Sequence, residues 1–203
     1  GGYVYVTRGL LAALNNESEL ASVIGHEIAH VTLHHGAKLM IRSIGAQIFA
    51  VGGVIASPKN AGQWLAVNNA LFQQINLGYG RKAELESDSQ GMLNSAEAGY
   101  HPIAMVNFLK NLRKQEVMSG QAYHGFQASH PETKERIVKA GTFALSLSRK
   151  YTASIIDKNI YLQKLKGLVY GGKKYLKDKN KYKPKYIDTY KVQKGDTLRS
   201  ISN

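Results

Sequence analysis

The stretch His26-Glu27-Ile28-Ala29-His30 constrains this chain more than any other, because it sets two metal-binding side chains and a carboxylate within one helical turn. In an α-helix, residues four apart lie on one face, so the imidazoles of His26 and His30 point toward the same place. Glu27 follows the first histidine directly, and its carboxylate can reach a water at a metal without being a ligand. The motif predicts two zinc ligands and a general base. The alternative, for the motif alone, is two surface histidines beside a salt-bridging glutamate.

The residues around this motif predict the helix that carries it. Asn16 followed by Glu19 is typical of a capped helix start. Apolar residues then recur at helical spacing at Leu20, Val23, Ile24, Ile28 and Val31. The motif therefore belongs to a well-specified amphipathic helix.

Composition narrows the chemistry and the number of domains. The chain has 203 residues, enough for one substantial core, and no cysteine. Without cysteine there are no disulfides and no thiolate metal sites, so histidine and carboxylate side chains are the strong zinc ligands that remain. The first residues contain neither a basic segment nor an apolar segment of an export signal, so we expect that any such signal lies outside this sequence or does not exist.

Charge divides the chain unevenly. Residues 1–148 contain 12 Lys and Arg against 10 Asp and Glu, whereas residues 149–203 contain 15 against 4. We predict a catalytic domain at 1–148, a basic linker or shortened accessory region at 149–185 and a separate segment at 186–203. The basic part has no recognisable nucleic-acid-binding signature, so we expect no nucleic acid as partner and favour attraction to an anionic lipid or wall surface.

A catalytic zinc ion needs a third protein ligand downstream, and Glu84 is the candidate. On a helix, Glu84 and Asp88 share a face while Glu86 points elsewhere. Asp88 could accept a hydrogen bond from the outer nitrogen of a ligating histidine. The alternative is a solvated charged face paired with Arg81 and Lys82.

Several segments in a fixed order carry a family resemblance. They are GGYVYVTRGLL, NNESELA, HEIAHV, the pattern E-x-E-S-D, AGYHP and SHPETKER, spread over residues 1–140. Together they resemble the zinc metallopeptidase family of the CAAX prenyl protease, HtpX and the bacterial periplasmic protease BepA. Such an ordered set is far more specific than the histidine motif alone.

The resemblance implies a gluzincin, in which one zinc ion is held by His26, His30 and Glu84, and Glu27 acts as general base. Asp88 matches the family's acidic position beside the ligands. Ser87 replaces the usual alanine there, a change that we expect to be harmless.

The resemblance also brings in His130 and Arg136, which match its His-Pro-x-x-x-x-Arg segment. In some members this segment stabilises the transition state, and in others its histidine is a fourth zinc ligand that blocks the site. The sequence leaves both roles open. His34 and His35 extend the motif helix, and His34, about one turn beyond His30, is predicted to be a surface or packing histidine.

The predicted fold is α+β and predominantly helical, a zincin-like metallopeptidase domain with a basic C-terminal extension. The β-branched and aromatic residues from Tyr3 to Thr7 predict a short strand beside the active-site helix. A further helix is predicted from Arg81 to Ala98, after a polar, glycine-containing stretch. The chain contains no run of about 18 apolar residues, so we predict no membrane-spanning helix.

The resemblance implies hydrolysis of peptide bonds in unfolded or misassembled envelope proteins, in the bacterial periplasm or at the periplasmic face of the outer membrane. The apolar segment from Ile41 to Ala56 is a candidate surface for a membrane or a substrate. Residues 186–203 resemble the start of a LysM module, so peptidoglycan is a further candidate partner. The alternative function is a latent zinc protein, blocked by His130, with a chaperone-like or peptidoglycan-binding role.

Overall fold

The chain folds mainly into α-helices, and the computed structural model describes residues 3–119, 129–130, 134–152, 155–170 and 185–186. The helices are α1 (Arg8–Ala13), α2 (Glu17–Thr32), α3 (His35–Ala56), a 3-10 turn (Pro58–Asn60), α4 (Ala61–Glu97), α5 (Ile103–Ser119), α6 (Lys134–Lys150) and α7 (Lys158–Leu165). Two short strands, β1 (Val169–Tyr170) and β2 (Lys185–Tyr186), pair antiparallel, with Val169 opposite Tyr186. The predominantly helical character predicted from the sequence is confirmed.

The short strand predicted from Tyr3 to Thr7 is absent. Residues 3–7 have no regular secondary structure, and no strand pairs with them in the described part of the chain. Tyr3 and Tyr5 are 81% and 87% exposed. A strand needs a hydrogen-bonded neighbour, whereas β-branched and aromatic residues favour only an extended backbone. Thr7 is extended in this way, and its hydroxyl accepts the amide hydrogen of Leu10 at 3.1 Å, which caps α1.

The start of α2 agrees with the predicted cap. Oδ1 of Asn16 accepts a hydrogen bond from the amide of Glu19 at 2.9 Å, and the Glu19 carboxylate accepts one from the amide of Asn15 at 2.8 Å. These bonds satisfy backbone donors that an uncapped helix would leave free. The cap fixes where α2 begins and therefore which of its faces carries His26 and His30.

Helix α4 is much longer than predicted. It extends from Ala61 to Glu97 rather than from Arg81, and it includes the polar, glycine-containing stretch before Arg81. Glycines in a helix each cost only about 1 kcal/mol relative to alanine, and no proline follows Pro58 in this stretch. Packing of the first half of α4 against α3 offsets that cost.

Helices α2 and α4 cross backbone to backbone at two glycines. A Cβ placed on Gly91 would lie 2.5 Å from the amide nitrogen of His26, and one placed on Gly25 would lie 2.7 Å from the carbonyl oxygen of Gly91. Only glycine permits this approach, because any side chain would have to displace the facing backbone. The crossing holds the histidines of α2 close to the carboxylates of α4.

Gly91→Ala is expected to destabilise the fold by about 1–3 kcal/mol, the usual cost of overpacking a rigid contact. The loss is measurable by urea unfolding monitored by circular dichroism. Gly141→Ala on α6 is the matched control, because nothing lies within 4 Å of the added methyl group and its position is helical. The control should be neutral or more stable by up to about 1 kcal/mol. Equal stability of the two variants would contradict the close crossing.

The hydrophobic core lies among α2, the second half of α4, α5 and α6. Its largest fully buried apolar side chains include Phe108, Met92, Met105 and Leu109. Tyr161 of α7 also packs into this core, and its hydroxyl donates to the carbonyl of Leu11 at 2.8 Å. The division into domains at residues 148 and 185 stays a prediction, and 187–203 of the LysM-like segment lie outside the described residues.

Candidate metal centre

Two helices supply the predicted ligands. Nε2 of His26 and Nε2 of His30, both on α2, lie 3.0 Å apart. Glu84 of α4 places Oε2 at 3.4 Å from His26 Nε2 and Oε1 at 3.2 Å from His30 Nε2. The structure therefore brings the three predicted ligands to one point, although Glu84 is more than 50 residues away in the sequence.

The spacing of these atoms suits a zinc ion. A tetrahedral zinc ion with bonds of about 2.0–2.1 Å has ligand atoms about 3.3 Å apart. The three separations among His26, His30 and Glu84 lie between 3.0 and 3.4 Å. Two imidazole nitrogens and one carboxylate oxygen also form a donor set that zinc favours. Both the geometry and the chemistry of this group fit the metal that the sequence predicted.

His130 completes a fourfold group. Its Nδ1 lies 3.3 Å from Nε2 of His26 and 3.1 Å from Oε1 of Glu84, and one ligand atom from each of the four residues falls within 4.8 Å of the others. Its other nitrogen, Nε2, lies 3.3 Å from Oε1 of Glu27. Both roles that the sequence left open for His130, transition-state stabiliser and fourth ligand, stay predictions.

Asp88 contacts the outer side of His26, as the sequence predicted. Its Oδ1 lies 2.9 Å from Nδ1 of His26, which orients that ring so that Nε2 faces the other ligands. Burial alone would raise the pKa of Asp88, but hydrogen bonds to His26 and Arg136 outweigh it and hold that pKa below its usual value. Asp88 is therefore a charged acceptor for the His26 N–H.

Arg136 supports the carboxylates from behind. Its Nε and Nη2 each lie 2.7 Å from an oxygen of Asp88, and its Nη1 lies 2.9 Å from Oε2 of Glu84. Only 1% of the Arg136 side chain is exposed. The resemblance placed Arg136 with the transition-state groups, whereas this burial favours a role in holding Asp88 and Glu84 over direct contact with a substrate.

The charge state of Glu84 suits a metal ligand. Burial would raise its pKa, but polar contacts with the imidazoles of His130, His26 and His30 and the positive charge of Arg136 lower that pKa well below its usual range. Glu84 is therefore ionised at neutral pH, and a carboxylate ligand must be deprotonated to bind zinc.

Glu27 lies beside the ligand group and faces an open cleft. The cleft, of about 450 Å³, is lined by Glu27 and His130 on one side and by the extended residues 3–7 on another. About a third of the Glu27 side chain is exposed, at 34%. The predicted general base can therefore meet solvent and a bound molecule in the cleft, while the predicted metal ligand His26 is fully buried.

Sequence reasoning missed some residues that shape the site. Gly25 and Gly91, where the helices cross, had no recognisable signal besides a glycine on each helix. The sequence assigned His35 no role, but its Nδ1 lies 3.1 Å from Nδ1 of His30. Glu86 was predicted to point away from the face of Glu84 and Asp88. Its carboxylate contacts His35 at 3.2 Å. A turn between α2 and α3 creates these contacts, and helical spacing cannot predict that turn.

The sequence of this chain is similar to those of known metallopeptidases. Residues 1–143 match the profile described as "Peptidase family M48". The beta-barrel assembly-enhancing protease of Yersinia pestis is 31% identical over 209 residues, which cover 100% of this chain and 41% of that protein. The protein of the same name from Escherichia coli (strain K12) is 28% identical over 179 residues, covering 83% of this chain and 35% of that protein.

A eukaryotic protein is similar as well. The mitochondrial metalloendopeptidase OMA1 of Arabidopsis thaliana is 30% identical over 135 residues, which cover 66% of this chain and 26% of that protein. The chain thus spans less than half the length of these curated relatives. No solved structure matches the chain at a comparable level of similarity.

Proposed function

The chain belongs to peptidase family M48, and from this membership we propose that it is a zinc-dependent endopeptidase that hydrolyses peptide bonds in unfolded or misassembled proteins of the bacterial envelope. One observation carries the proposal. The ligand atoms of His26, His30 and Glu84 lie at the separations that a tetrahedral zinc ion requires, with Glu27 next to them on the cleft. A donor set with a carboxylate base beside it is the arrangement of a metal-dependent hydrolase.

In the proposed mechanism the metal ligands and the general base have different roles. His26, His30 and Glu84 would hold the zinc ion, which would supply a Lewis acid for the scissile carbonyl and the attacking water. A carboxylate oxygen of Glu27 accepts the proton of that water and later donates it to the leaving amine. Asp88 holds the proton on Nδ1 of His26, so that the lone pair on Nε2 would be free to bind the metal.

The cleft suggests how a substrate would lie. Residues 3–7 are extended and line the cleft together with Glu27. Because these residues pair with no strand in the described part of the chain, their backbone groups are suited to pair with an extended peptide. Only an unfolded or locally extended substrate presents its backbone in this way, which supports the proposed substrate class.

Metal removal tests the proposal. The zinc-loaded protein is expected to cleave casein, an unfolded substrate, and to lose this activity completely with a chelator such as 1,10-phenanthroline. Zinc added back in a stoichiometric amount should restore it, as followed by gel electrophoresis of the products. Cleavage that persists in the metal-free protein would contradict a zinc-dependent mechanism.

A second candidate function is favoured by the position of His130. With its Nδ1 among the other ligand atoms, the zinc site would be closed, which is typical of structural rather than catalytic zinc. In that case the chain would be a latent zinc protein with a chaperone-like or peptidoglycan-binding role. Catalysis requires that His130 leave the fourth position.

His130→Ala distinguishes the two candidates in the same casein assay. If the site is latent, the wild type binds one zinc ion and cleaves nothing, while the variant gains activity because the fourth position opens. If the wild type is active, His130→Ala should not create a new activity, and loss of cleavage would indicate that His130 assists the reaction.

The location and the partners of the chain are also proposals. We infer an envelope location, in the periplasm or at the periplasmic face of the outer membrane, from relatives named as beta-barrel assembly-enhancing proteases. Within the described residues, α3 alone is long and apolar enough to cross a membrane, which differs from our prediction of no such helix. Its apolar residues are largely exposed and include Ile41, Ile48, Val51 and Ile55. This surface supports the proposed contact with a membrane.

A further inference from the structure

His30 has a polar contact on the side of its ring that faces away from the ligand group. Its Nδ1 lies 3.1 Å from Nδ1 of His35, and the two rings meet at 75° with their centroids 5.0 Å apart. Nε2 of His35 lies 3.2 Å from Oε2 of Glu86. The three side chains form a continuous chain of polar contacts from a half-exposed carboxylate to a candidate metal ligand.

The chemistry of these groups fixes where the protons lie. An ionised Glu86 can only accept, so Nε2 of His35 carries a hydrogen. In a neutral ring the other nitrogen then has a lone pair, and Nδ1 of His35 accepts the N–H of His30. His30 is thereby left with its lone pair on Nε2, the atom that faces His26 and Glu84.

A break between two helices builds this contact. In a continuous helix, His35 would be rotated about 140° away from His30. Instead, α2 ends at Thr32 and α3 begins at His35, and His34 between them has a left-handed backbone with φ of 56°. The turn brings His35 back onto the ring of His30.

Buried surroundings hold the His35 ring in place. Ser87 of α4 is fully buried, and its Oγ lies 3.3 Å from Nδ1 of His35. The hydroxyl of Ser87 thus adds a further polar contact to the His35 ring. On the other side of the site, Asp88 performs the equivalent task for His26 directly.

We propose that His35, oriented by Glu86, is a positioning residue for His30, which it holds in the tautomer with the proton on Nδ1 and so raises the zinc affinity of the site. This inference rests on the proposed zinc site. Outer partners of metal-binding histidines typically change metal affinity by about 10- to 100-fold when they are removed.

Two substitutions of similar size at His35 test the proposal. His35→Leu removes the acceptor and is expected to weaken zinc binding by about 10- to 100-fold, as measured by competition with a chromophoric chelator. His35→Asn offers Oδ1 as an acceptor near the place of Nδ1 and should recover most of that affinity. His34→Asn, at an exposed neighbour whose left-handed backbone suits asparagine, is the control and should bind zinc like the wild type.

Glu86 supplies a second pair of variants in case His35→Leu does not fold. Its side chain is 42% exposed, so substitution there leaves the core intact. Glu86→Ala should lose up to about 10-fold in zinc affinity, whereas Glu86→Gln, which keeps an oxygen acceptor, should lose much less. Equal zinc affinities for His35→Leu and His35→Asn, or for the two Glu86 variants, would overturn the proposal.

These measurements need no substrate and are therefore separable from the proposed function. A chain that shows the expected zinc affinities but cleaves no protein would contradict the peptidase proposal alone. A zinc-dependent peptidase whose metal affinity is unchanged by His35→Leu would contradict the positioning role alone.

Discussion

Glu27→Gln is expected to leave zinc binding intact and to reduce casein cleavage by about 10²- to 10⁴-fold, the usual contribution of a general base. The amide has nearly the same shape as the carboxylate but cannot take a proton from the attacking water. Glu27 is not among the four residues that gather around the candidate metal position, so metal content should not change. Zinc stoichiometry and initial cleavage rates, measured on the same preparation, check both halves of the expectation.

Glu17→Gln is the matched control, since it makes the same chemical change on the same helix far from the ligands. Glu17 contacts the hydroxyl of Tyr100 at 3.0 Å and has no contact with the candidate metal group. The control should cleave casein at the wild-type rate. Full activity in Glu27→Gln would contradict the role of Glu27 as general base. Loss of zinc in that variant would mean that Glu27 is itself a ligand.

Local patterns predicted the parts of the site that lie within one helix. The four-residue spacing of His26 and His30 and the cap at Asn16 depend only on helix geometry and neighbouring residues. The same is true of Glu84 and Asp88 on α4, since a helix puts both on one face. For these residues the sequence predicted the shared face, and the structure shows that the two faces meet.

Features that depend on tertiary contacts could not be predicted in this way. The contact of His35 with His30 requires the left-handed turn at His34, and the approach of α2 to α4 requires Gly25 opposite Gly91. The strand at residues 3–7 failed for a related reason, because residue preference describes an extended backbone but supplies no partner strand. In each case the missing information is which distant segment packs against the local one.

Arg136→Met is expected to destabilise the fold by about 3–5 kcal/mol, because it removes one partner of a buried ion pair and leaves Asp88 uncompensated. The guanidinium makes two 2.7 Å contacts to Asp88 and one of 2.9 Å to Glu84, and the side chain is fully buried. Methionine keeps much of the volume but none of the charge. Arg136→Lys keeps the positive charge but not the paired contacts to Asp88. Its stability should therefore lie between those of the wild type and Arg136→Met. Urea unfolding of the metal-free proteins measures these differences.

Lys139→Met on the same helix is the control for this substitution. Lys139 pairs with Glu135 at 2.8 Å, but both side chains are exposed, so the free energy of unfolding should change by no more than about 0.5–1 kcal/mol.

The loss of stability caused by Arg136→Met should become smaller at acidic pH. The folded pKa of Asp88 is lowered, so the stability that its charge contributes is present above the pKa of an unfolded aspartate and is lost as pH falls through the folded value. If Arg136→Met and Lys139→Met had equal effects at neutral pH, Arg136 would not be the residue that holds the site's carboxylates.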